Sequence, residues 1–173
     1  MNKEAADLLL TRRSIRNFTD EQVPEESLDK ILEIATYAPT GRGLQSPKIV
    51  VVRDEATLDQ LRIMNKTVRG VDNDQYFGAK TIVLSFSPND VKTYIEDGTS
   101  VLIYMMLAAH AEGLGAVWVH REREMFSSPE GKELMKKWGI PDNYEGIGAL
   151  AIGFAKGTHP KPAPRKEDYI LKV

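Results

Sequence analysis

The chain has no cysteine, which removes disulfides, thiolate metal sites, iron–sulfur clusters and cysteine nucleophiles together. Any redox chemistry must therefore use a cofactor held by other side chains. A charge excess of either sign is also missing: 23 Lys and Arg stand against 25 Asp and Glu, a formal net charge of −2. Coating nucleic acid needs a strong basic excess, so only a local basic pocket stays open. No apolar run approaches the ~20 residues of a membrane span. Asp7 interrupts the short apolar stretch near the start, unlike a secretory signal. A cytoplasmic location is expected, where the N-x-T sequons at Asn17 and Asn65 would carry no glycan. His110, His120 and His159 lack metal-ligand spacing, and there is no HExxH pair and no nucleophile elbow. Gly131-Lys132 is followed by Glu133, so no Walker loop is present either.

What is present is an ordinary globular composition, 42% hydrophobic and 28% charged over 173 residues. That length suits one domain, 1–173, burying roughly 70% of its unfolded surface; residues 156–173 read as a polar, Pro-rich C-terminal arm. Helical spacing places a first helix at Glu4–Leu10 and a second after Pro24 with Leu28, Ile31, Leu32, Ala35 and Ala38 inward, stopped by Pro39. Ile49–Val52 is a β-branched run expected to be buried on both faces. Asp54 can cap a third helix facing Leu58, Leu61 and Met64 inward, and polar Asn65–Gln75 reads as a loop. A buried strand at Lys80–Phe86 precedes a helix over Val91–Glu112 that is apolar around most of its circumference and contains His110 as an expected core residue. Gly113 ends that helix; strands at Gly115–His120 and Ile147–Phe154 flank a helix from Ser128-Pro129 to Gly139. Helices and strands alternate, giving an α/β or α+β layered class.

Four segments can carry chemistry. Arg12-Arg13-Ser14-Ile15-Arg16 sets three guanidinium forks and a hydroxyl within five residues, a candidate anion site or, equally, a solvated basic turn. Pro39-Thr40-Gly41-Arg42-Gly43-Leu44-Gln45 lets backbone come close to a flat ligand, with Gln45 offering donor and acceptor; an ordinary connecting loop explains it too. Gly113-Leu114-Gly115 lacks the third glycine and the preceding strand of a dinucleotide fingerprint. A helix C-cap accounts for Gly113 and leaves Gly115 unexplained. Alternating Pro160, Pro162 and Pro164 lead into Arg165-Lys166, either an extended arm holding two charges or a disordered basic tail.

In this order and spacing the segments RRSIRNF (12–18), VPEESLDKILE (23–33), APTGRGLQSPKIVVV (38–52), YFGA (76–79), MLAAHAEGLGAVW (106–118), Ile152-Gly153 and Pro164-Arg165-Lys166 resemble the nitroreductase family of FMN proteins. The resemblance implies an α+β, three-layer nitroreductase-like fold. Its central mixed sheet would have about four strands of the chain's own, with Tyr169-Ile170-Leu171 added as a strand to the partner's sheet in a homodimer. It implies FMN as cofactor and NADH or NADPH as donor, with electrons passed to a nitroaromatic, quinone or similar acceptor. By the same resemblance Arg12, Arg13 and Ser14 hold the FMN phosphate, joined by Arg165 and Lys166. Arg16 lies nearer the ribityl chain and the pyrimidine edge. Thr40, Gly41 and Gly43 approach the ring from the partner subunit, Pro39 and Gln45 count among the cofactor-binding residues, and backbone at Leu114 and Gly115 supplies donors. Two departures are visible: Gly43 stands where the family commonly has Asn, and Gln45-Ser46-Pro47 replaces a Gln-Pro pair followed by an aromatic. A non-catalytic FMN-binding or redox-sensing module, and a dimerisation domain without cofactor, are the rival readings.

Overall fold

The computed structural model describes residues 3–173. In chain order it contains α1 (Lys3–Thr11), α2 (Glu25–Thr36), β1 (Lys48–Val52), α3 (Glu55–Arg69), β2 (Thr81–Pro88), α4 (Tyr94–Ala111), β3 (Gly115–Val119), α5 (Glu122–Ser127), α6 (Pro129–Lys137) and β4 (Tyr144–Gly153). The four strands form one sheet in the order β1-β2-β4-β3, antiparallel at each pairing. Parallel pairing among the described residues is confined to a single bridge, Ser14 to Ala116, at the β3 edge. The mixed character expected of the sheet therefore reduces to that one bridge.

Side-chain alternation along the strands separates two cores. Ile82, Leu84 and Phe86 of β2 and Ala149 and Ala151 of β4 meet α3, α5 and α6 on one face. Val83, Leu150 and Ile152 meet α2 and α4 on the other. These are the three layers of an α+β fold. Local signals explain the helix ends. The Asp54 carboxylate accepts from Thr57 N–H at 2.9 Å, and the Ser128 hydroxyl accepts from Gly131 N–H at 3.1 Å; each cap contributes about 1 kcal/mol.

Several expectations need correction. β1 is an edge strand in which only Val52 is buried, although its β-branched run suggested burial on both faces. Hydrophobicity cannot reveal which strand ends a sheet. α3 continues through Asn65 to Arg69, because buried Asn65 donates to His120 O at 3.1 Å and so has an interior partner. The connection that follows is anchored, with both Asp74 carboxylate oxygens accepting backbone N–H groups, from Tyr76 and Gly78. α4 starts at Tyr94, three residues later than expected. Helix α5 has no counterpart in the sequence reading. His110 is half-buried, not a core residue. Within this chain Glu167–Tyr169 forms a 3-10 turn, with Ile170 extended after it and Tyr169, Ile170 and Leu171 exposed.

Much apolar surface stays uncovered. The chain exposes 10457 Å², where a compact monomer of 19.4 kDa presents about 8,500 Å². Leu9 and Leu10 of α1 and Ile95 and Ile103 of α4 are all exposed.

Beneath α5 lies a buried polar cluster. Tyr76 Oη donates to Glu122 Oε1 at 3.1 Å, while Glu122 Oε2 and Asn65 Oδ1 have no hydrogen-bond partner. Burial raises the Glu122 carboxyl from 4.5 to about 8, against the opposing pull of its own backbone N–H and the Tyr76 hydroxyl. Between these two pH values the folded chain keeps the proton and the unfolded chain has lost it, so stability falls as pH rises through that window. Glu122→Gln, which cannot ionise, should flatten that fall in urea melts across the window; an unchanged slope would refute the assignment.

Candidate functional site

Two of the segments singled out in the sequence, the arginine loop and the Leu114-Gly115 turn, come together. After α1 the chain runs along the β3 edge: Ile15 N–H donates to Ala116 O at 3.1 Å. It then crosses to the end of β4, where Thr19 N–H donates to Phe154 O and Lys156 N–H to Asn17 O, each at 2.9 Å. Ile15 and Phe18 are buried, so the basic loop is packed down. Gly115 is now explained. A Cβ there would lie 2.8 Å from Ile15 Cγ1, so only glycine lets the loop seat against β3. The Leu114 N–H is spent on Ala109 O at 2.8 Å and is no donor for a ligand.

The guanidinium groups differ in state. Arg13 Nη1 donates to Leu10 O and Arg12 O, closing the end of α1. Arg12 Nη1 is buried without a hydrogen-bond partner, and Arg16 is exposed. His110, from the last turn of α4, lies 2.9 Å from Thr11 Oγ1 through Nε2. Burial foremost, then the charges of Arg12, His159 and Arg13, hold the His110 imidazole below its ordinary 6.5. Four potential cations from three stretches of chain thus converge beside Ser14. An unpaired buried guanidinium N–H is costly, and a phosphate oxygen would satisfy it; the donor set fits such a group. The sequence reading did not place His110 or His159 in the anion site, and no spacing rule connects them to Arg12. Arg165 turns onto its own neighbour, donating through Nε and Nη2 to Ala163 O; like Lys166 it is exposed and is not brought to this cluster by any hydrogen bond.

The second half lies elsewhere. Residues 41–43 make a 3-10 turn with Arg42 at φ 56°, followed by Gln45 at φ 50°. Gln45 N–H donates to Thr40 Oγ1 at 3.0 Å. Buried Asp97, near the start of α4, accepts Gly41 N–H at 2.8 Å and the Thr93 hydroxyl at 3.1 Å. Asp97 is a further missed residue, a buried acid in the first turn of a helix that is apolar over most of its later length. Pro39, Thr40, Gly43 and Gln45 line one side of a depression of about 520 Å³. Gly41 and Arg42 face another of about 410 Å³ with Asp90–Thr93. Asp97 and His110 are 13 positions apart on α4, which at 1.5 Å per residue is about 20 Å. The two halves therefore occupy opposite ends of α4 in one chain.

Comparison with known proteins meets this geometry. The nitroreductase family model matches residues 9–83, covering both the arginine loop and the Pro39–Gln45 turn. A provisionally named NADH dehydrogenase/NAD(P)H nitroreductase of Archaeoglobus fulgidus is 29% identical over 161 residues, 89% of this chain and 87% of that protein. The chain is similar to the nitroreductase family. An iodotyrosine deiodinase of Thermotoga neapolitana is 26% identical over 93% of both chains. The nitroreductase of Bacteroides fragilis, solved with bound FMN, superposes with a TM-score of 0.91 at 24% identity, covering 99% of this chain and all of that one. The nitroreductase fold is thereby established for this chain.

Asp97→Ala would leave the Gly41 N–H and Thr93 hydroxyl unpaired in a half-buried site. We expect a loss of about 1–3 kcal/mol in denaturant unfolding and faster proteolysis within residues 40–46; wild-type protection of that loop would count against the anchoring role.

Proposed function

We propose that this chain is a member of the nitroreductase family and an FMN-dependent oxidoreductase, active as a homodimer. The observation that carries the reading is the buried, unpartnered Arg12 Nη1 among converging cations beside Ser14. Bound FMN would supply two-electron chemistry, accepting hydride from NADH or NADPH and yielding it to a nitroaromatic, quinone or similar acceptor by a ping-pong scheme. The chain's own part is binding and electrostatics. Arg12, Arg13 and Ser14 would hold the phosphate, and Arg165 and Lys166 belong to the same arm as His159, which already bears on that cluster. Arg16, exposed beside them, would place a fixed cation where negative charge gathers on the reduced pyrimidine edge.

Dimerisation is supported by the surplus exposed surface, by the uncovered apolar residues of α1 and α4, and by the division of the site between the ends of α4. A second copy lying antiparallel along α4 would bring Pro39, Thr40, Gly41, Gly43 and Gln45 of one chain over the arginine loop of the other. The free edge of β1 offers the partner's Tyr169-Ile170-Leu171 a place for strand addition.

The visible spectrum of the purified protein, with FMN added, followed by anaerobic NADH or NADPH, tests the function. We expect bound-flavin bands that bleach with nicotinamide and recover with a quinone. Flavin uptake without turnover would favour a binding or sensing module, and no uptake would end the assignment. Arg12→Ala should weaken FMN retention by on the order of tenfold or more. Deletion of residues 168–173 should lower both dimer stability and flavin content; a truncated protein that stays dimeric and fully loaded would exclude strand addition.

A further inference from the structure

We infer that His110 is part of the anion site and takes up a proton when a phosphate monoester binds beside Arg12, making cofactor binding proton-linked. The inference rests on the proposed FMN reading and extends it to a residue on a different helix. The hydrogen-bond pattern identifies the atom involved. The Thr11 hydroxyl has one proton, and at 2.6 Å it donates that proton to Asp7 O. Its oxygen is left to accept from His110 Nε2 at 2.9 Å, so Nε2 carries hydrogen and Nδ1 is the bare nitrogen of the neutral ring. Proton uptake therefore occurs at Nδ1.

The surroundings make that uptake conditional. The titratable side chains that bear on His110 are Arg12, Arg13 and His159, from the loop after α1 and from the C-terminal arm. On α2 and the end of α4, Lys30 stands 4.0 Å from Glu112 and offsets its charge. With cations on several sides and burial added, the ring stays neutral in the absence of an anion. A phosphate monoester carries close to two negative charges at neutral pH. Seated against Arg12 Nη1 and Ser14, it reverses the local field and favours the imidazolium. The C-terminal turn of α4, where carbonyl dipoles point outward, favours the same form. The sign follows: the bound state holds more protons, so affinity declines as pH rises through the His110 titration range.

Imidazole NMR decides this, since three histidines give three resolvable titrations, assignable with His110→Gln and His159→Gln. In the free protein His110 should titrate below the ordinary value. Saturating FMN should raise its midpoint by about one pH unit or more, inorganic phosphate should act in the same direction, and riboflavin, which lacks the phosphate, should leave it in place. His110→Gln keeps a donor for Thr11 and should weaken FMN binding on the order of tenfold near pH 6, with riboflavin binding unchanged. Quenching of flavin fluorescence by FMN binding without movement of the His110 midpoint would overturn the inference and leave the proposed function standing. If no flavin binds, the proposed function falls and the phosphate arm alone decides. A shift with phosphate keeps the anion site and its proton, and no shift removes both.

Discussion

The position of the candidate site depends on one steric allowance, the bare α-carbon of Gly115 beneath the side chain of Ile15. Because nothing projects from residue 115, Ile15 can lie against the start of β3, where a Cβ would come within 2.8 Å of it. That contact lets Ser14 pair with Ala116 and fixes the direction in which the chain leaves α1. Arg12 and Arg13 are then turned back toward the end of α4, where His110 waits. Packing, not charge, therefore brings these side chains together; repulsion between the Arg12 and Arg13 guanidinium groups opposes it. The burial of Ile15 and Phe18, each side chain contributing about 1.5–3 kcal/mol, supplies the offsetting stabilisation.

α4 links this arrangement to the other half of the site. Its buried stripe, Val101, Leu102, Met105, Ala108 and Ala109, lies on the sheet. Its two ends do different work: Asp97 anchors the Gly41 turn, and His110 faces the arginine loop. A helix of this length keeps the two loops a fixed distance apart, which no rearrangement of either loop alone would close. The same helix leaves Ile95 and Ile103 exposed. One element thus separates the half-sites within a chain and supplies a surface through which a second chain could reunite them.

The legibility of this protein in its sequence follows the range of the forces involved. Features set within one turn were readable: the Asp54 and Ser128 caps, the Pro39 stop, Gly113 and Gly139 at helix ends, and the inward set Leu28, Ile31 and Ala35. The arginine loop was readable as a candidate because its residues are contiguous. Features set by distant partners were not. Ile49–Val52 has the composition of an interior strand but ends the sheet, since strand order depends on topology. Asn65 looked like loop chemistry until His120 O, 55 positions away, supplied its partner. Glu122 sits in a charged stretch, Arg121–Glu124, whose pattern predicts solvent exposure. His110 and His159 join the cluster only through the fold.

Among the buried polar groups that lack a hydrogen-bond partner, Glu122 Oε2 and Arg12 Nη1 differ in a way that separates structure from function. Glu122 Oε2 is enclosed on every side, with α5 above and Tyr76 and Asn65 beneath, and its chemistry resolves internally: the carboxyl retains its proton and loses most of its electrostatic cost. Arg12 has no such escape, because a guanidinium does not deprotonate at any pH at which the protein is folded. A chain can remove the penalty of a buried acid alone, whereas the penalty of the Arg12 N–H is removed by an acceptor, and the fold gives it none. Of the neighbours already present, Arg13 offers only donors, and Arg12 Nη1 makes no hydrogen bond to His110 or His159. An anion would complete the proposed site, and the half-exposed His110, able to gain or give up one proton, would let that site match its charge to what binds there.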